Sequence, residues 1–503
     1  MKIKNIILSF LVLGLILSSC EEDFLETAPT NQLSSDVMFE SFDGAQLALN
    51  GIYARMYYFD GDGLGHHGAA YFGNVLDCDL MGEDMAMWDR GYGWYTATYG
   101  WITHRIADGG VNTGRWLFFY DIINQANIIL LYADDIEDAT TAQINNVKAQ
   151  AHVIRALGYL WLVQHWAQPY AGGANANDPG LPIYLEPSQE GNPRSPLGEV
   201  YQQILDDVED AITYFSGAAD PGYQQHRSHS NLAVAYGMGA RAALAMNDYD
   251  AAATYAGNAI ANSNRSLFAV GDFGDEPHAL LNDIGASEIM WGIQITGDHS
   301  AIYASYQSHM DARFMSYASL GGQKLINAEL YDNMTATDVR RGWWIAPEDE
   351  IEDDDFYMAY NNAKMLSKEV GNFAGDLPLM RLSEMYLAKA EALARDGDNT
   401  GAQQALYDYM SNRDPNYSMS TNTGDALIDE IMFHRRIELW GEGFRFHDLK
   451  RTGEPLHRTA EQGHNLGLAN ILEVEPEDPR WLWLIPQDEI DANDAISSGD
   501  QNP

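Results

Sequence analysis

Ile431-Met432-Phe433-His434-Arg435-Arg436-Ile437-Glu438-Leu439-Trp440-Gly441-Glu442-Gly443-Phe444-Arg445-Phe446-His447-Asp448-Leu449-Lys450-Arg451 is the stretch on which the fold turns. Ile431, Ile437, Leu439 and Trp440 make a mostly helical apolar face. Gly441 and Gly443 break it, and Phe444, Phe446 and Leu449 resume the apolar pattern. Inside this apolar run stand Arg435, Arg436, Glu438, Glu442, Arg445 and Asp448. A buried charge persists only when it is paired, because an unpaired one costs several kcal/mol. Arginine suits such pairs, since its planar fork grips a carboxylate at two points. The stretch predicts a helix-turn-helix corner locked by an Arg–carboxylate network. His447 and these acids are assigned to structure rather than to catalysis.

Outward from the corner the chain reads as helices. Predicted spans are Ser35 to Tyr58, Trp116 to Tyr132, Ala139 to His165, Val200 to Phe215 and Asn231 to Met246. Asn247-Asp248-Tyr249 then turns the chain into a helix bearing Ala256, Ala259 and Ile260. The same idea recurs from Leu379 to Asn412, with Ala388, Ala390, Ala392 and Ala394, a turn at Asp396-Gly397-Asp398, then Ala402, Ala405 and Leu406. Small residues where helices cross, joined by a tight polar turn, look like degenerate tetratricopeptide units. The fold class is therefore mainly α, a tetratricopeptide-like scaffold carrying irregular, loop-rich regions. Ile289 to Gln294 is strand-like by its β-formers.

The corner residues also carry a resemblance. Arg435-Arg436-Ile437-Glu438-Leu439, Glu442-Gly443-Phe444-Arg445 and Asp448-Leu449-Lys450-Arg451 resemble the C-terminal signature of the SusD/RagB family. Asn124-Gln125-Ala126-Asn127, Arg155-Ala156-Leu157-Gly158-Tyr159, Gly180-Leu181-Pro182-Ile183, the Asp338, Arg340 and Arg341 group, and the ending from Leu482 to Asn493 are similar to further family segments. The resemblance implies an outer-membrane lipoprotein that captures nutrients, mostly glycans, for a SusC-like TonB-dependent transporter and acts as its lid. It implies one domain from residue 20 to 503, with an N-terminal part of about 24–215 and a helical-repeat and C-terminal part of about 225–503. The scaffold helices would contact the transporter.

The N-terminus reads as an address. Lys2 and Lys4 precede an apolar run from Ile6 to Leu17, which has the length of a signal-peptide core and is too short to span a bilayer. Leu17-Ser18-Ser19-Cys20 resembles a lipobox, so residues 1–19 are expected to be removed and Cys20 to be lipidated. Several acyl chains together anchor firmly. Cys78 is then left without an intramolecular partner and is expected to be a small buried hydrophobe. Glu21-Glu22-Asp23 resembles the surface-export signal of such lipoproteins, which places the protein on the outer face of the outer membrane.

Acids outnumber bases 73 to 29, for a formal charge of −44. This balance repels phosphate backbones and excludes nucleic acid as a natural partner. The 12 Trp and 28 Tyr exceed what a core alone calls for and fit a stacking surface. Leu76 to Trp101, read as an irregular loop, interleaves aromatic and polar groups on Gly-interrupted backbone. A sugar ring stacks its C–H face on such rings while its hydroxyls take polar partners. The expected ligand-binding residues are Asp77, Asp79, Trp88, Arg90, Tyr92, Trp94, Tyr95 and Trp101. A second irregular zone, Phe268 to Gly375, adds Tyr303, Tyr306, Trp343 and Trp344, with Arg313 and Tyr317 nearby. Glu348 to Asp355 is expected to be a solvated acidic loop.

The rival reading is an exported glycosidase using two carboxylates, with Asp77, Asp79 and Glu83 as candidates by composition. No Gly-x-Ser-x-Gly elbow, His-Glu-x-x-His helix or phosphate-binding Gly-x-x-x-x-Gly-Lys-[Ser/Thr] loop accompanies them. The protein is therefore read as a binding protein rather than an enzyme, with a peptide ligand as the alternative to a glycan. No cofactor or metal is expected: Asp60-Gly61-Asp62-Gly63 leaves Ca²⁺ open through oxygen ligands, while the paired His66-His67 has no set ligand geometry.

Overall fold

The computed structural model describes residues 38–57, 64–68, 70–218, 226–274, 276–297 and 303–503. Cys20, the preceding apolar run, the acidic cluster after it and Asp60 to Gly63 lie outside these residues. Helix α1 (Phe42–Tyr57) is followed by α2 (Ala70–Met81) and the short strand β1 (Met85–Met87). The long helices α3 (Gly110–Tyr132) and α4 (Thr141–Trp166) come next. Thr140 and Gln143 close a capping box at the start of α4, which satisfies two otherwise orphaned amides. Helices α5 (Leu197–Gly217), α6 (Leu232–Ala245) and α7 (Tyr249–Asn262) continue the scaffold, with Asn231 and Asp248 as N-caps of the last two. The predicted spans hold to within a few residues, except that α3 starts six residues before Trp116 and α1 starts at Phe42.

Strands β2 (Ile289–Ile293), β3 (Lys324–Ile326) and β4 (Leu377–Arg381) belong to the second irregular zone. β1 pairs antiparallel with β3, placing Met85 opposite Ile326, and β2 pairs antiparallel with β4. Helices α8 (Leu382–Arg395) and α9 (Asn399–Met410) form the second helix pair, with Asp398 capping α9. Helices α10 (Asp425–Glu438) and α11 (Arg445–Thr452) build the corner. The helix pairs cross on small residues. A Cβ on Gly239 would lie 2.7 Å from the Tyr255 ring of α7, and one on Gly237, where α6 meets β4, would lie 2.3 Å from the Met380 sulfur. No helix among the described residues is long and apolar enough to cross a membrane.

The structure corrects one boundary. Leu76 to Met81 are not loop but the second half of α2, in which every residue is buried. A helix covered on all sides has no amphipathic stripe, so periodicity cannot announce it. The irregular segment begins only after β1.

The corner closes as the composition requires, with partners that come from elsewhere. Of its six charged residues, only Arg435 and Asp448 pair with each other, at 2.8 Å. Arg436 reaches Asp84 at 2.5 Å, and Arg445 reaches Glu83 at 2.5 Å. Glu438 accepts from Arg381 at 2.7 Å, from Arg413 at 2.9 Å and from the Tyr409 hydroxyl. Glu442 holds Arg381 at 2.6 Å and the Lys364 ammonium at 2.7 Å. Glu288 bridges Arg381 and Arg413, each at 2.7 Å.

Gly443 makes the turn between the two helices. Its φ of +86° favours glycine, and its amide donates to Asp79 Oδ2 at 3.0 Å. A Cβ there would stand 3.0 Å from the Val75 Cα and 3.3 Å from the Trp161 ring. Gly443→Ala is expected to cost about 1–3 kcal/mol through left-handed strain and crowding. A thermal melt checks this, with a lowered Tm expected.

Candidate functional site

Rings from four separated stretches meet at one surface. The β1–β3 pairing fixes the start of the first: the Trp88 amide donates to the Gln323 carbonyl at 3.2 Å, and Asn465 Nδ2 donates to the Trp88 carbonyl at 2.9 Å. Gly91, at φ +49°, then lets the loop pass over the Leu320–Gly322 turn, where a Cβ would approach the Leu320 carbonyl to 2.9 Å. This close passage carries Tyr92 and Trp94 onto Tyr317. Tyr92 meets Tyr317 edge-on at 5.8 Å, Trp94 meets it at 6.1 Å, and Tyr303 meets it at 4.7 Å.

Tyr303 continues to Phe373 at 5.5 Å, and Phe373 to Phe314 at 5.2 Å. His66 stacks on Trp94 at 5.0 Å and bonds the Tyr317 hydroxyl. Tyr317 is nearly buried at the centre, while Tyr92 is 70% exposed and Trp94, Tyr303, Phe314 and Phe373 are partly open. Edge-on contacts of this kind add about 0.5–1.5 kcal/mol per pair beyond area burial, so the rings hold one another in place. Trp88, Asp89 and Arg90 are exposed at the start of the loop, with Met315 and Leu320 on the Tyr317 side. The result is a preformed aromatic surface edged by a carboxylate and a guanidinium.

Of the sequence candidates, Tyr92, Trp94 and Tyr303 are thus brought together, with Trp88 and Arg90 exposed on the same loop. The other seven are not surface groups. Asp77 of α2 is paired with Arg115 of α3 at 2.7 Å, and burial raises its pKa despite that charge. Burial also holds Asp79 well above the usual carboxylate range, against the Gly443 amide and Lys364. Tyr95 is fully buried with its hydroxyl donating to the His67 carbonyl. Tyr306 donates to the Gly441 carbonyl at 2.6 Å. Trp343 lies under the Lys364 ammonium and Trp344 packs edge-on against Trp440 at 5.7 Å, so both belong to the core of the corner.

Trp101 is the plainest correction. Its indole donates to the Met81 carbonyl at 3.0 Å and its ring packs against Trp481 at 4.9 Å. Trp101→Ala is therefore expected to destabilise the fold by about 3–5 kcal/mol, as large aromatic deletions in a core do. Chemical denaturation should show this as a lower midpoint.

Sequence reading weighed His66 only for a metal, passed over Phe314 and Phe373, and left Tyr317 outside its chosen set. Phe373, in Gly371-Asn372-Phe373-Ala374-Gly375, shows the same signal of an aromatic on Gly-interrupted backbone. The acidic run 348–355 is exposed, as expected. Asp77, Asp79 and Glu83, the hydrolase candidates, are all buried. Glu83 is held by Arg445, whose charge together with that of Arg436 outweighs burial and lowers its pKa.

A family model described as "SusD family" matches residues 248–503, and one described as "Starch-binding associating with outer membrane" matches residues 23–244. A SusD-like protein of Formosa agariphila is 24% identical, covering 96% of this chain and 96% of that protein. A SusD-like carbohydrate binding protein of Bacteroides vulgatus has a solved structure with a TM-score of 0.76 at 24% identity, covering 92% of this chain and 98% of that one. Surface glycan-binding protein A of Bacteroides thetaiotaomicron, solved in complex with laminarihexaose, matches with a TM-score of 0.68 at 17% identity, covering 92% and 99%.

Proposed function

Because the chain belongs to the SusD family, we propose that it is a cell-surface glycan-binding lipoprotein that captures oligosaccharides and delivers them to a SusC-like TonB-dependent transporter, acting as its lid. The observation that carries this reading is the open aromatic surface of Tyr92, Trp94, Tyr303 and Phe373 around Tyr317. A pyranose lays its C–H face on an exposed ring, while Asp89 and Arg90 offer partners for its hydroxyls. The rings are held by one another before a ligand arrives, so little ordering entropy opposes binding. The laminarihexaose complex of a fold relative supports a glycan as the ligand class.

Capture breaks no bond in this reading. A glycosidase needs a carboxyl group free to protonate the leaving oxygen and a second one across the sugar. Asp77 and Glu83 are committed to buried arginines, and Asp79 to the Gly443 amide. The anchor is Cys20, and the scaffold helices supply the face toward the transporter.

The test is binding of the purified protein to a panel of oligosaccharides, with release of reducing ends followed in the same samples. Binding without release is the expected result. Release of product would overturn the reading, and binding of peptides in place of every glycan would replace its ligand class.

A further inference from the structure

Three buried side chains, distant in sequence, converge behind the corner: Cys78 of α2, His165 of α4 and His447 of α11. Cys78 Sγ lies 3.5 Å from His165 Nε2 and 3.3 Å from His447 Nε2. One ligand atom from each lies within 4.8 Å of the others, and no other such group of three His, Cys or carboxylate residues occurs among the described residues. His165 Nδ1 sits 2.7 Å from the Trp161 carbonyl, so that nitrogen carries the proton and Nε2 turns its lone pair to the sulfur. An imidazole fixed this way by a backbone carbonyl is oriented as metal-bound histidines are. His447 Nδ1 is buried without a protein partner, and His447 lines a cavity of about 50 Å³.

We propose that Cys78, His165 and His447 form a binding site for a soft divalent cation of the Zn²⁺ class. Bond lengths of about 2.3 Å to sulfur and 2.0–2.1 Å to nitrogen, at tetrahedral angles, set sulfur and nitrogen roughly 3.5 Å apart. The two S···N separations already match that spacing. A thiolate with two neutral imidazoles is a donor set chosen by Zn²⁺ rather than by Ca²⁺ or Mg²⁺. The Cys78 proton leaves to solvent as the metal–sulfur bond forms. Three protein ligands leave the fourth tetrahedral position to water.

The bound ion would tie α2 and α4 of the N-terminal part to α11 of the corner. His447, 7% exposed and bordering a second shallow pocket with Gln168, Tyr201 and Lys450, is the ligand nearest to solvent.

The test uses the full chain in detergent, stripped with a chelator, refolded with Co²⁺ as the spectroscopic substitute for Zn²⁺, and melted with and without Zn²⁺. One equivalent of Co²⁺ should give a near-ultraviolet thiolate-to-cobalt charge-transfer band, and Zn²⁺ should raise Tm by several degrees. Cys78→Ser should abolish the band. His447→Gln, at the ligand nearest to solvent, should weaken Co²⁺ binding of the folded chain about tenfold or more, whatever it costs the metal-free melt. A folded wild-type chain with no thiolate band overturns the proposal. So does a band that survives Cys78→Ser, or one that His447→Gln leaves at full affinity.

Discussion

Glu438→Gln is expected to remove about 3–5 kcal/mol of folding stability, the cost of deleting one partner from a buried ion network. The core of the corner holds four cations, Arg340, Arg381, Arg413 and Lys364, against four carboxylates, Asp338, Glu288, Glu438 and Glu442. The cluster is neutral only while all eight are charged. Glu438 lies between Arg381 and Arg413, and its loss leaves one positive charge in excess where no water can screen it. Urea denaturation should show a lower midpoint at an unchanged slope. A wild-type midpoint would mean that the remaining carboxylates absorb the charge.

The same network sets an acid limit. Burial alone would raise the Glu438 pKa, but Arg413 and Arg381 hold it well below the ordinary 4.5. Such a depressed group contributes stability that is present above the unfolded value and lost as pH falls toward the folded one. Glu442, Glu391 and Asp448 are depressed in the same direction once their arginines outweigh burial. The folded chain should therefore lose stability progressively below about pH 4.5. Glu438→Gln should make that loss shallower, since one titrating group is gone.

Tyr92→Ala is expected to weaken oligosaccharide binding by about thirtyfold, equivalent to about 2 kcal/mol for a central aromatic anchor. Tyr92 is 70% exposed, so its removal takes little from the core and the melting temperature should hold. Tyr303→Ala should weaken binding in the same direction, because it exposes the flank of Tyr317 and frees Phe373. Trp94→Ala should also weaken binding, with some loss of stability through its stack on His66. Calorimetric titration with the best ligand of the oligosaccharide panel reads all three. Unchanged affinity in Tyr92→Ala and Trp94→Ala, with the fold intact, would move the site away from this surface.

Adjacent residues of one type show why sequence stops where it does. Trp94, Tyr95, Tyr99 and Trp101 stand on the same Gly-interrupted backbone. Trp94 remains partly open. Tyr95, in a left-handed conformation at φ +62°, turns inward to His67. Tyr99 bonds His464 and Trp101 packs on Trp481, partners more than 350 residues away in the chain. Nothing local separates an aromatic that faces solvent from one that meets such a partner.

The sequence by itself determined the features that depend on neighbouring residues. Helix spans follow from apolar period and from caps such as Thr140, Asn231, Asp248 and Asp398, each acting on amides within one turn. The presence of six charges in an apolar corner required buried pairing wherever their partners lay. Only the tertiary structure decided what those partners are, because Glu83, Asp84, Glu288, Arg381 and Arg413 come from remote segments brought together by packing. It alone decided that α2 is a fully covered helix, that Asp77 and Asp79 are core groups, and which rings share the open surface. Burial is a property of the assembled chain, and no single segment carries it.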